Sequence, residues 1–268
     1  MERLDANRRH WDEITPRHAA SDFYDLAGFR AGRDPLRAVE RRELGHRVAG
    51  RRLLHLQCHF GMDTLAWARR GAVVTGADIS GASIALARQL SEELGIAATF
   101  VESSVEELPA RLDGTFDIVF TSYGVVHWLE DLDRWAAVIA HFLAPGGLFY
   151  MVEMHPMLGV LDEDDLERRP AYPYFRPGPI RIVEHGSYAA AAAAEEAPSV
   201  VWIWRHTLGE IVSALAAAGL RIDYLHEFAE LPRARLAGMV PTEDGMYRIE
   251  DRPGLLPLLY SIEAHRPG

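Results

Sequence analysis

Between Arg51 and Glu153 five apolar segments of strand length, RRLLHLQC, AVVTGAD, ATFVES, FDIVFTS and GGLFYMVE, alternate with stretches of helical periodicity such as DTLAWARRG and SGASIALARQLSEELG. A strand followed by a helix cannot pair with the next strand as a hairpin. The helix must carry the chain back over the sheet, so successive strands run parallel and helices cover both faces. The pattern predicts an α/β fold on a mostly parallel sheet, and 49% hydrophobic residues in 268 suffice to bury its core.

The flanking regions read differently. Residues 5–50 mix charged clusters with spaced apolar positions (Trp11, Ile14, Phe23, Tyr24, Phe29), which predicts several short helices punctuated by Gly32 and Pro35. After Glu153 the alternation breaks. Strands at 180–188 and 200–206 are expected to pair antiparallel, joined through the alanine tract 189–194, as an insertion over the ligand-binding edge of the sheet. TLGEIVSALAAAGL then reads as a helix stopped by Gly219, RIDYLHEF as a strand, and LLPLLYSIEAHR as a last strand whose prolines favour an edge position or a late start. The expected units are 1–50, a helical N-terminal segment; 51–153, a cofactor-binding core; 154–205, an inserted substrate cap; and 206–268, completing a seven-stranded sheet.

Charge and cysteine usage narrow the partners. With 39 acidic and 28 basic residues the formal net charge is −11, so no global attraction to nucleic acid or an anionic membrane is expected. The single cysteine, Cys58, allows no internal disulfide and no cysteine-based metal site, and the twelve histidines show no HExxH spacing, so no metal is expected. The opening MERLDANRRHWDEITPRH lacks the apolar core of a secretory signal, and no stretch has the length of a membrane span. The expectation is a soluble cytoplasmic protein, monomer or homodimer, acting on a small molecule.

In an open parallel sheet ligands bind beyond the carboxyl ends of the strands, which draws attention to residues 57–61, 78–80, 103–106, 121–123 and 153–155. The first lies in LLHLQCHFGMDTLAWAR, a strand, tight turn and helix start of the kind that holds nucleotide-type cofactors. Gln57 and His59 stand where glycines are usual, and Gly61 remains. Asp78 closes the second strand, placed either to accept ribose hydroxyls or to cap the helix that follows.

The five stretches LLHLQCHFGMDTLAWA, VVTGADISGASIALAR, ATFVESSVEELP, FDIVFTSYGVVHWLEDL and FLAPGGLFYMVE together resemble class I S-adenosylmethionine-dependent methyltransferases, over roughly residues 50–153 plus the elements after 205. The HLQCHFG turn is similar to that of a bacterial subgroup acting on small molecules. The usual family turn has an acidic residue and three glycines; here His55 takes the acidic position. The resemblance implies a Rossmann-like sheet and S-adenosylmethionine as cofactor, with Gln57, Gly61 and His59 at its amino-acid end and Asp78 on the ribose. Ile79 and Ser80 would lie beside the adenine, and Ser104, where many relatives carry Asp, with Val105 at its edge. Thr121, Ser122 and Tyr123 would lie near the methionine portion and the transferred methyl. The resemblance also implies that residues 1–50 form a helical N-terminal lid over the cofactor, and Tyr24, beside Phe23, either faces the cofactor from it or simply packs. A nicotinamide dehydrogenase shares a Gly-rich turn and an acidic residue, but the PGG before the fifth strand matches methyltransferases.

Methyl transfer to an O, N or C nucleophile demands positioning and, where needed, removal of a proton. Candidates for that work are Tyr123, His127 and His155, with Glu153 on the sheet side and Glu184, His185, Trp204 and His206 on the insertion. His127 is either a general base or a packed residue, and His155 either orients substrate or caps a turn. Trp11, Trp128, Trp202 and Trp204 line an aromatic pocket or belong to the core, and alternation puts Trp202 and Trp204 on one face. Two other readings stay open: a lyase or cyclase releasing methylthioadenosine, and a non-catalytic cofactor-binding domain. The acidic net charge weakly suits a cationic or neutral acceptor, subject to the local charge of the pocket.

Overall fold

In the computed structural model, which describes residues 2–189 and 198–268, the chain opens with one long helix, α1 (Glu2–Ala20), followed by the short α2 (Leu26–Arg30) and α3 (Ala38–Glu43). Several short helices were expected up to residue 50, but α1 is continuous because its buried residues, Asn7, His10, Ile14, Thr15 and His18, recur every three or four positions on one face. Pro16 inside it has no N–H for the Asp12 carbonyl, and the Thr15 hydroxyl bonds the Trp11 carbonyl beside it at 2.7 Å.

The alternating core is β1 (Arg52–Leu56), α4 (Met62–Arg69), β2 (Val73–Asp78), α5 (Gly81–Leu94), β3 (Ala98–Glu102), β4 (Phe116–Ser122), α6 (Leu132–Phe142) and β5 (Leu143–Met154). An antiparallel hairpin follows, β6 (Ile180–Glu184) and β7 (Ser199–Ile203), paired with Arg181 opposite Trp202. The alanine tract expected to join these strands lies outside the described residues from 190 onward. The rest is α7 (Leu208–Ala217), β8 (Arg221–Phe228), β9 (Glu230–Leu231), β10 (Met239–Pro241), β11 (Tyr247–Ile249) and β12 (Leu259–His265).

Seven strands form the main sheet in the order β3-β2-β1-β4-β5-β12-β8. The first five run parallel, and β12 is antiparallel to both neighbours, β5 and β8. The last strand does start late, after Pro257, but it lies inside the sheet, where its residues from Leu259 to Ala264 are buried. Alternate residues of each strand supply two cores, one on each face. Leu53 joins Trp67 and Phe120 on one side, while Leu54 joins Trp135 and Phe149 on the other. Trp67 and Trp135 are wholly buried, and truncating either to alanine is expected to cost about 3–5 kcal/mol.

The small sheet β10-β11-β9 was not foreseen, since its strands are two or three residues long within LPRARLAGMVPTEDGMYRI. No helix among the described residues is long and apolar enough to cross a membrane. Strand order reverses between β1 and β4, which opens a crevice at the carboxyl ends of those two strands.

Candidate functional site

That crevice is a cavity of about 590 Å³, within the range of small-ligand sites. Its floor is made of strand ends, residues 57–61, 78–79, 103–106, 122–123 and 153–155, and its cover comes from α1, the β6–β7 hairpin and residues 232–235.

The β1–α4 turn keeps a glycine-type backbone without the glycines: φ is 56° at Gln57, 51° at His59 and 76° at Gly61. A left-handed conformation costs a side-chain-bearing residue about 1–2 kcal/mol, so contacts must hold it there. The His59 N–H donates to Asp78 Oδ2 at 2.8 Å, the Ser80 N–H donates to Oδ1 at 2.9 Å, and the Cys58 N–H donates to the Ala77 carbonyl at 3.0 Å. Burial pushes the Asp78 carboxyl up to about 6, against the pull of the two N–H groups. Gln57 Nε2 donates to the Val125 carbonyl at 3.1 Å, which anchors the turn to the end of β4.

Three buried polar atoms of this turn and the end of β1 have no partner among the described residues: Gln57 Oε1, His59 Nδ1 and His55 Nε2, all on residues that line the cavity. Such atoms are costly unless a ligand or water meets them. Gly61 is required for a reason other than ligand approach, because a Cβ there would sit 2.7 Å from the Phe100 ring and 3.0 Å from Ala87. No side chain caps α4, which leaves the N–H groups of its first turn directed to the cavity beside Asp63. Burial pushes Asp63 up to about 6, with Arg37 opposing.

Above the turn, α1 contributes a ring cluster that the sequence reading did not assemble. Trp11 meets His59 edge-on at 5.3 Å, and Tyr24 stacks on the same imidazole at 5.4 Å with its hydroxyl bonded to that of Tyr188. His18 Nδ1 lies 3.3 Å from His59 Nε2, and His18 Nε2 lies 3.0 Å from the Ser187 hydroxyl. Burial and neighbouring charge bring His18 down to about 4 and His59 well below the usual imidazole value, so both rings are neutral at pH 7. The signal that could have found His18 is its place on the 7, 10, 14, 18 face of α1.

Ile79, Ser104 and Val105 line the cavity next to Asp78. Ser80 does not: it is fully buried, caps α5 by accepting the Ser83 N–H at 3.0 Å and donates to Asp12 of α1 at 2.7 Å. Thr121 is likewise buried below the cavity, and Ser122 lines it.

At the β4–β5 end, Tyr123 has a positive φ of 32° and its hydroxyl donates to Glu40 of α3 at 2.5 Å, where burial pushes Glu40 up to about 7. Glu153 accepts the N–H groups of Gly124, Val125, Val126 and Met154 at 2.5–3.1 Å, which organises the loop after β4. His155 caps the turn after β5: Nδ1 accepts the Met157 N–H at 3.1 Å, and Nε2 faces Glu227 at 3.0 Å. His127 lines the cavity with no side-chain hydrogen bond among the described residues, and burial together with Arg235 and His206 brings it down to about 3.

On the insertion side Glu184, Trp204 and His206 line the cavity, while His185 and Trp202 do not. Trp202 lies instead under the Arg3 guanidinium, 5.2 Å from it. Arg205, Arg233 and Arg235, which also line this end, went unnoticed in the sequence. Asp223, Glu263 and His265 could share a metal ion, but they lie on β8 and β12 outside the cavity, and Glu263 is paired with Arg47.

Residues 54–151 match the family model described as a methyltransferase domain. The chain is 32% identical over 133 residues to a ubiquinone biosynthesis O-methyltransferase of Saccharophagus degradans, covering 48% of this chain and 55% of that protein. It thus spans about half the length of that relative. Among solved structures it is similar to an S-adenosylmethionine-dependent methyltransferase of Mesorhizobium loti, with a TM-score of 0.59, 25% identity and coverage of 85% of this chain and 98% of that one. The fold is also shared with an S-adenosylmethionine-dependent methyltransferase of Clostridium acetobutylicum, at a TM-score of 0.56, 12% identity and coverage of 86% and 89%.

Proposed function

We propose that this protein transfers the methyl group of S-adenosylmethionine to an O, N or C nucleophile of a small molecule. The observation that carries the reading is the β1–α4 turn: left-handed backbone at all three glycine positions, Asp78 fixed opposite, and buried polar atoms without partners among the described residues, on side chains that line the cavity. When bound, the cofactor supplies a methyl group made electrophilic by its sulfonium.

The chain's own residues divide the work. Gln57 Oε1 accepts from the ammonium of the amino-acid end, and His59 Nδ1 and the open N–H groups of α4 meet its carboxylate. Asp78, already oriented by two N–H groups, uses its remaining lone pairs on the ribose hydroxyls and repels a 2′-phosphate. Ile79, Ser104 and Val105 flank the adenine, Ser122 lies beside the methionine portion, and Tyr24 with Trp11 closes over it. Ser80 is left out of the ligand set. Tyr123 and His155, both committed to protein partners, position the loop that receives the acceptor. His127, neutral and far below the pH of general-base work, orients the acceptor by a hydrogen bond rather than taking its proton.

Within this reading residues 1–50 act as the lid, 51–153 as the cofactor core, 154–205 as the substrate cap and 206–268 as the completion of the sheet. The HLQCHFG turn supports membership of the bacterial small-molecule subgroup. The buried, unpaired Cys58 fits a reducing cytoplasm. S-adenosylhomocysteine at a hundred times its Kd should stabilise the protein by about 2.7 kcal/mol, and NAD should leave the melting temperature unmoved. Accumulation of S-adenosylhomocysteine with a methylated product supports the assignment; methylthioadenosine would overturn it in favour of a lyase or cyclase.

A further inference from the structure

The overall charge of −11 suggests a neutral or cationic acceptor, but the charge at the acceptor end of the cavity has the opposite sign. Arg205, just past β7, and Arg233 and Arg235, in the loop after β9, line that end. Burial lowers both Arg205 and Arg233 below the ordinary guanidinium value; Arg235 adds to this at Arg233, Arg176 and then Arg235 add to it at Arg205, and Arg235 acts on His127 as well.

Their partners are few. Arg235 pairs with Glu163 at 2.7 Å and reaches Met154 Sδ at 3.3 Å, at the end of β5. Arg205 has one carbonyl, that of Pro173, at 3.3 Å, and stands over the Tyr172 ring. Arg233 stands over the Tyr188 ring, and no carboxylate lies within ion-pair distance of it among the described residues. On the other side of the balance Glu163 acts on Arg233 as well as pairing with Arg235, Glu184 and Glu106 line the cavity, Glu153 is consumed by four backbone N–H groups, and Asp63 and Asp78 lie with the β1–α4 turn. Three partly buried guanidinium groups, with Glu163 and Glu184 left to balance them, suit an anionic group of a ligand. The neighbouring wall of Trp128, Leu158, Tyr174 and Trp204 is apolar and aromatic.

We infer that the acceptor is an organic acid, an apolar or aromatic body whose carboxylate is held by Arg205, Arg233 and Arg235. A planar carboxylate matches the guanidinium fork in a way that a neutral amide or an amine does not. The inference rests on the methyl-transfer reading and assigns its substrate class. Where the carboxylate oxygen is itself the nucleophile there is no proton to remove, and His127 need not act as a base. The small sheet β9–β11–β10 gains a role, because the loop leaving β9 carries two of the three arginines.

The test uses the full chain loaded with S-adenosylhomocysteine and calorimetric titration with matched pairs: benzoate and benzamide, phenylacetate and phenylacetamide, octanoate and octanamide. At least one acid should bind tenfold or more tighter than its amide, and Arg205→Gln and Arg233→Gln should each erase most of that preference. S-adenosylhomocysteine affinity, measured on the same samples, keeps the two readings apart. Failure of the wild-type protein to bind S-adenosylhomocysteine sinks the methyl-transfer reading itself. Binding of S-adenosylhomocysteine with equal affinity for acid and amide, or with no acid bound at millimolar concentration, overturns the acid site alone. Loss of S-adenosylhomocysteine affinity in Arg233→Gln with acid preference intact would assign that arginine to the cofactor's own carboxylate and also overturn it.

Discussion

His59 combines a strained backbone with a ring wedged between Trp11 and Tyr24, so its two contributions can be separated by substitution. His59→Gly removes the ring but frees the φ of 51°; His59→Ala removes the ring and keeps the strain. Alanine should therefore be the less stable variant by about 1 kcal/mol in urea unfolding, and equal stabilities would refute strain at this residue. Glu153 offers a second test. Replacing it with Gln puts an amide NH₂ against backbone N–H groups that now meet a carboxylate oxygen, at an expected cost of about 1–3 kcal/mol and with a lower kcat, because the loop after β4 loses its anchor. Asp78→Ala should weaken S-adenosylhomocysteine binding and also destabilise the empty protein, since the N–H groups of His59 and Ser80 would then be buried without acceptors. An unfolding curve identical to wild type would contradict that double role. Asp78 and Gly61 were readable as residue types at a strand end and a turn. What could not be read is that Gly61 answers to Phe100, a contact made only once β3 is in place.

At the scale of elements, α1 is fastened at both sides. Asp12 accepts from the Ser80 hydroxyl at 2.7 Å and the Ala82 N–H at 3.0 Å at the start of α5, and Thr15 meets Ser83 at 2.7 Å. Towards the hairpin, Asn7 exchanges two hydrogen bonds with the backbone of Trp202, at 2.7 and 2.8 Å, and His10 meets Ser199 at 2.6 Å. Asp12→Ala should raise hydrogen exchange in α1 and the first turn of α5 together while leaving β1 and β4 protected; an unchanged α1 would show that ring packing alone holds it. The five parallel strands were legible because each is a short apolar run between helical patterns. The short strands at 230–249 were not, since their pairing depends on tertiary contacts rather than on local period. The length of α1 was missed because a face made of Asn7, His10, Thr15 and His18 does not register as hydrophobic.

For the whole molecule, acid stability follows from groups buried in their unusual states. His10 and His18 are lowered to about 4, and His55 and His127 to about 3, chiefly by burial. Below pH 6.5 the unfolded chain takes up protons at these positions that the folded chain refuses until about pH 4 at His10 and His18 and about pH 3 at His55 and His127, so stability falls as pH falls. Asp63 and Asp78, raised to about 6, and Glu40, raised to about 7, act the other way, since there the folded state holds the proton first. Glu153 is raised as well, but His59 and His155 are also lowered, so six histidines face four raised carboxylates and the net expectation is a loss of unfolding free energy from pH 6.5 to 4.5. Urea midpoints that rise on acidification across that interval would reverse the balance. A last consequence concerns self-association. β7 belongs to a sheet of only two strands, so one of its sides would present open N–H and C=O groups beside Val201 and Trp202. The Asn7 amide occupies one such pair as a neighbouring strand would, and blunts an edge on which a second copy could dock. Asn7→Ala should accordingly show concentration-dependent oligomers in light scattering at temperatures where the wild type shows none.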